Sequence, residues 1–350
     1  METLNLLVMQ NSSRFNNALQ LKVRNIITTF LIAKKLKKSD FYHAMGVSHS
    51  TFYKKHSGKT QFSIGDLAVI SKLTNYSIDS FLNESHHVVP FDISGVTIAH
   101  NKASYLGLLH NLLDSLDDLE DPEIKFVTRE IPVFYFFSNP LLGAFKLFIY
   151  SKVNWQLPFY KDKLSFSIDL VSDYEIKLMQ DAWKRYTQIP STELWSPFIW
   201  QMTLEQVKYM LTHDMFKNAK DALKIIKAIR EITLSSRQWC EQGKKPSNST
   251  KPGANFTVFN NNIINTNSFM LAGNEDNNKL LITHTNPNFL ECDSEIIAKK
   301  TDQWRKNLQQ STIKLKGKGN TDAADYFSKL FREINEAEAY ALNYIKGNNK

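Results

Sequence analysis

His49, Ser50, Thr51, Tyr53 and Lys54 fall within six residues, flanked by Ser39 and Ser48 before them and by Lys55, Lys59 and Thr60 after them. Hydroxyls and an imidazole exchange hydrogen bonds with base edges, a Thr methyl meets a thymine methyl, and a Lys reaches guanine acceptors or a phosphate. This is the chemistry of binding, not of bond making. No GxSxG, HExxH, GxGxxG or kinase signature occurs anywhere, and Lys314, Lys316 and Lys318 lack the Walker spacing of a phosphate loop. Cys240 and Cys292 have no CxxC partner, which argues against a thiolate zinc site and against a disulfide framework. The pair His86-His87 has only Glu84 and Asp92 as neighbouring carboxylates and reads as an exposed linker pair. The acidic residues Asp114, Asp117, Asp118, Glu120 and Asp121 read as a solvated helix stop. No catalytic activity, cofactor or metal is expected.

Charge gives those polar residues a context. The chain has 350 residues, with 43 Lys plus Arg against 35 Asp plus Glu, a net charge of +8. Between Leu21 and Phe81 stand ten basic residues and three acidic ones, so this short window holds +7 of the excess and the remainder is almost neutral. Confinement of that kind is the electrostatic footprint of a nucleic-acid module.

The elements that must position the polar residues follow from periodicity. Val23, Ile26, Ile27, Phe30 and Leu31 form the apolar stripe of an amphipathic helix. Ser39 is placed to cap a second helix over Asp40 to Met45, with Phe41 and Met45 inward. Gly46 supplies a left-handed stop, Val47 plugs the corner, and Ser48 caps a third helix from His49 to about Ser57. Two short helices joined by a Gly-containing three-residue turn make a helix-turn-helix. Gly58 ends the third helix, Ser63 caps a fourth, and Ser77 opens a short fifth that ends at Phe81-Leu82.

These features, from the Gly46-Val47-Ser48 turn to the Ser-led later helices, make residues 20 to 83 resemble the five-helix lambda-repressor/Cro-type DNA-binding domain. The resemblance covers about a fifth of the chain. It implies that the third helix enters the major groove of double-stranded DNA. His49, Ser50, Thr51, Tyr53 and Lys54 would then touch bases, with Ser39, Ser48, Lys55, Lys59 and Thr60 as further contacts near the backbone. The sequence departs from the family at two places. Tyr42 occupies a slot that is usually small, and Lys55 occupies the slot of an aliphatic anchor.

The expected fold class is mainly α with a smaller β component (α+β). Residues 1–83 form the DNA-binding domain, 84–98 a linker and 99–242 a mostly helical body; 243–254 form a loop or linker, and 255–350 a small antiparallel meander with closing helices. The leucine-rich stretch 99–119 is helical and serves equally well as core or dimer contact. The 20-residue window from Ile131 to Tyr150 has the length of a membrane span, but Lys146 and Asn139-Pro140 favour a buried strand over Glu130 to Phe137 and then a helix. Leu164, Phe166 and Ile168 alternate with polar residues as a half-buried strand should.

Together these point to a non-enzymatic, sequence-specific transcriptional regulator: homodimeric, cytoplasmic and nucleoid-associated, without membrane contact. Its body would dimerise and take an effector, either a small molecule or a protein. The competing expectation is an antitoxin or phage-defence protein whose DNA-binding domain serves only autoregulation.

Overall fold

A computed structural model describes residues 2–33, 36–74, 89, 91–97, 101–161, 164–246, 252–263, 267–275, 277–317, 319 and 321–348. The chain divides into two compact units, Met1–Pro90 (the head) and Phe91–Lys350 (the body).

The head contains α1 (Glu2–Ala33), α2 (Lys38–Ala44), α3 (His49–His56) and α4 (Ile64–Thr74). The expected fifth helix lies outside the described residues, as do 84–88, 90 and 98 of the expected linker; from Phe91 onward that segment belongs to the body, with a bridge from Asp92 to Glu291 and a short helix at Ser94–Thr97. The α1 stripe of Val23, Ile27 and Leu31 meets Phe41, Met45, Phe52, Leu67 and Ile70 in one small core. Its centre is aromatic, with Phe41 lying 6.0 Å from both Phe30 and Phe52.

The body is a mixed α and β unit around a seven-stranded sheet of order β6-β5-β4-β1-β2-β3-β7. β1 (Glu123–Thr128), β2 (Ser191–Trp195) and β3 (Phe256–Asn260) run parallel at its centre, joined by helical crossovers. β4 (Phe269–Gly273), β5 (Asn278–Thr285) and β6 (Asn288–Cys292) extend it antiparallel beyond β1, and β7 (Ile313–Lys314) caps the β3 edge. The expected antiparallel meander is thus β4 to β6 alone, and it is not separate. β3 pairs in parallel with β2, so residues 255–350 share one sheet and one core with the preceding segment.

Ile124, Phe126, Trp195, Phe256, Val258 and Met270 face the main helical layer. That layer consists of α6 (Lys102–Asp117), α7 (Val133–Phe136), α8 (Pro140–Ile149), α10 (Asp173–Tyr186), α11 (Gln201–Thr212), α12 (Lys220–Gln242) and α14 (Thr321–Asn348). The short helices α5 (Ser94–Thr97) and α9 (Pro158–Lys161) sit at its margins, and α13 (Glu295–Gln310) lies against β5, with Trp304 over Phe269. The leucines of α6 are buried in the body's core, which settles that stretch as a core helix. Asp114 and Asp117 stay largely exposed, as expected, and also hold the two arms of Arg185, each at 2.7 Å.

Two strand expectations fail for local reasons. Pro132 has no N–H to give a ladder, so residues after it turn into α7, and the strand lies earlier, at β1. Beyond Phe166, whose only pairing is one bridge to Phe216, the Ser167 hydroxyl caps the Asp169 N–H and the chain closes into a 3-10 turn. Within the apolar window the Asn139 side chain accepts from the N–H groups of Leu141 and Leu142, which starts α8. Among the described residues no helix is long and apolar enough to cross a membrane.

Candidate nucleic-acid interface

α2 and α3 are set by their ends. The Lys37 N–H donates to Asp40 Oδ2 at 2.9 Å, so α2 begins two residues ahead of expectation and Ser39 lies inside it, not at its cap. Gly46, at φ +66, gives the left-handed residue that stops α2. Ser48 then caps α3 as expected, its Oγ accepting the Thr51 N–H at 3.2 Å. Gly58, at φ +85, turns the chain out of α3, and a Cβ there would collide with the Arg24 guanidinium.

Around α3 the side chains divide by period. Phe52 is fully buried, Lys55 and His56 are half-buried one turn on, and His49, Ser50, Thr51, Tyr53 and Lys54 are exposed. Lys59 and Thr60 continue the exposed set beyond the helix. Thr60 stays close to it because its N–H donates to the Lys54 carbonyl at 3.1 Å. The structure therefore brings together seven of the sequence-derived positions on one side of α3 and its exit turn.

Lys55 is set apart from them. Its ammonium is bound by Asp66, so an ion pair fills this half-buried, inward position. Burial pushes the Asp66 carboxyl up, but hydrogen bonds from Lys55 and Ser63 outweigh it and hold the group below the ordinary range. Ser63 and Asp66 also cap α4 reciprocally, with Ser63 N–H to Asp66 Oδ2 at 2.6 Å and Asp66 N–H to Ser63 Oγ at 3.1 Å. Lys55 is thus a structural tie between α3 and α4, not a free phosphate contact.

Tyr42 is accommodated by an aromatic cluster. It stacks on His43 at 4.6 Å and meets His49 edge-on at 5.5 Å, while His49 lies 4.3 Å from Tyr53. Lys38 sits 5.5 Å from the Tyr53 ring centre and adds a cation beside the outer face of α3. His56, packed on Phe52, has its pKa lowered by burial and by the charges of Lys38 and Arg24.

Two positioning residues escaped the sequence reading. Gln20 is buried on α1 and grips the Phe62 backbone twice, donating to its carbonyl at 3.2 Å and accepting its N–H at 2.8 Å, which ties down the loop that carries Lys59 and Thr60. Its signal was a polar residue one step before Val23 on the apolar stripe. Arg24 is the second, against which Gly58 packs.

Among the described residues no group of three or more His, Cys, Asp or Glu side chains could hold a metal ion. No known family, curated protein or solved structure matches this chain.

Proposed function

We propose that the chain is a sequence-specific transcriptional regulator that binds duplex DNA through the outer face of α3. The observation that carries the reading is the separation of roles around that helix. Phe52 and Lys55 are consumed by packing, whereas His49, Ser50, Thr51, Tyr53 and Lys54 are exposed beside Lys38 and Lys59. In this reading Ser50, Thr51 and His49 read base edges, and Lys54, Lys59 and Thr60 fix the register on phosphates. Ser48 acts through its cap, which keeps the first turn of α3 rigid. A single head covers few base pairs, so the working form is a homodimer with heads one helical turn, about 34 Å, apart. The body acts on DNA binding only as far as an effector prefers one arrangement of the pair over another.

Genome-wide mapping of bound sites tests this, repeated with Lys54→Ala and His49→Ala. The expected outcome is weaker occupancy everywhere for Lys54→Ala and a changed site preference for His49→Ala. Identical maps for all three proteins would overturn the assignment of α3.

A further inference from the structure

The parallel strands β1, β2 and β3 all end on one edge of the body's sheet, at Thr128, Trp195 and Asn260. Open sheets gather ligands outside the carboxyl ends of such strands, because the segments leaving them diverge and the strand ends stay rigid. Here that edge holds a cleft of about 920 Å³, within the range of about 300–1,000 Å³ that suits small molecules. All of its lining residues belong to the body.

The lining has three parts. Its floor is apolar and mostly aromatic, with Tyr105, Phe126, Phe136, Tyr150 and Met270 all buried. Phe198, Met202 and Ile263 stand at the mouth, 46%, 58% and 61% exposed. A third set, Gln201, Asn262 and Asn267, is also exposed and adds amides that both donate and accept.

The charges in the lining are unequally satisfied. Glu130 is fully used: Oε1 accepts from Lys146 at 2.6 Å and Thr203 at 2.7 Å, and Oε2 from Asn286 at 3.2 Å. Glu205 pairs with Lys208 at 2.8 Å. Arg129 is the permanent cation among the described lining residues, and its guanidinium forms no ion pair among the described residues. Its backbone is pinned, its N–H donating to Ser268 Oγ at 3.1 Å, so the head of the side chain starts from a fixed point on the rim.

From this arrangement we infer that the cleft binds a small aromatic anion, a flat ring system bearing a single anionic group, either a carboxylate or a phosphate. The ring lies on the aromatic floor, where offset and edge contacts favour it over a saturated chain. Its heteroatoms meet the amides, and its anion pairs with Arg129 as a two-pronged partner. Binding to the body and binding to DNA are separate readouts, so this site stands or falls independently of α3.

Calorimetric titration of the full-length protein without DNA provides the test. Indole-3-acetate and adenosine 5′-monophosphate present a ring with a carboxylate and a ring with a phosphate. Indole, adenosine, acetate and inorganic phosphate present the halves alone. The expected result is that at least one ring-bearing anion binds ten-fold or more tightly than either of its halves. Which of the two binds then identifies the anion. Arg129→Ala should reduce that affinity to the level of the neutral ring, and Arg129→Lys should recover part of it. The thermal unfolding temperature should not move, because the guanidinium is exposed and holds no ion pair. The inference is overturned if neither anion binds, if the halves bind as tightly as the whole, or if Arg129→Ala leaves the affinity unchanged.

Discussion

Lysine is used in opposite ways in the two units. In the head, Lys22, Lys37, Lys38, Lys54, Lys59 and Lys72 are all exposed, and among its described lysines Lys55 alone turns inward, to Asp66. In the body, Lys146 and Lys245 are buried to 0% and 2% exposure, and their ammonium groups are taken up by the protein. Lys146 is held by Glu130, Thr203 and Gln206 and lies 4.6 Å from the Phe136 ring centre. Lys245 donates to the carbonyls of Tyr186 and Ile189 at 3.1 and 2.8 Å. Charge in the head is available to a partner, whereas these two body charges are part of the core. A net charge counts both alike, and only burial tells them apart.

That contrast can be broken from either side. The largest effect is expected from Phe52→Ala, which empties the centre of a core of only a few side chains and should cost the head about 4 kcal/mol. Calorimetry should show the head's transition lost or lowered and the body's unmoved, with DNA binding abolished. Next is Glu130→Ala, which leaves Lys146 buried beside an incomplete set of partners and should cost the body about 3 kcal/mol in urea denaturation. Adding Lys146→Met should recover much of that loss, because an apolar side chain needs no counter-charge. Lys54→Ala comes third: it should leave stability unchanged but weaken duplex binding about ten-fold, with the salt slope shallower by about one.

The smallest effect is a pH dependence. Burial lowers the Lys245 pKa to about 7, against the raising influence of Glu193 and Glu123. Above that value the folded body holds the amine neutral while the unfolded chain still binds the proton up to its ordinary, higher pKa. Stability therefore rises with pH from about 7, by on the order of 1 kcal/mol per unit. Above pH 9 to 10 the trend reverses, because burial raises the pKa values of Cys240, Tyr135 and Tyr186 in the fold and the unfolded chain gives up those protons first. Urea denaturation at pH 7, 8 and 9 should show the rise, and Lys245→Met should flatten it.

The head was legible because its signals are local. The Gly46 stop, the Ser48 cap, the Ser63 cap and the stripe on α1 each act within one or two turns, and each appears where periodicity placed it. Ser39 missed because Asp40 and the Lys37 N–H form a closer start for α2. Lys55 missed because its partner Asp66 lies on another helix, beyond any helical period.

The body's central sheet was hardest to read where it is most polar. β2, Ser-Thr-Glu-Leu-Trp, lacks an apolar alternation because Ser191 and Glu193 point into the core. Glu193 is fully buried and accepts from Tyr135 at 3.1 Å, Ser191 at 2.7 Å, Trp195 at 2.8 Å and, more closely still, Tyr186. A carboxylate with four donors can occupy a core position, but the donors come from three separate stretches of chain, so no window of sequence announces the strand. The cleft stayed hidden for the same reason, since its floor and rim are assembled by strand order.

Duplex binding by the full chain as a function of salt, read by fluorescence anisotropy on labelled genomic fragments, decides whether the head binds DNA. Tight binding is expected at 50 mM salt, with a log–log slope steeper than about −3 per protomer if Lys37, Lys38, Lys54 and Lys59 neutralise phosphates. No binding at 50 mM salt, or a slope near zero, would contradict DNA binding by the head.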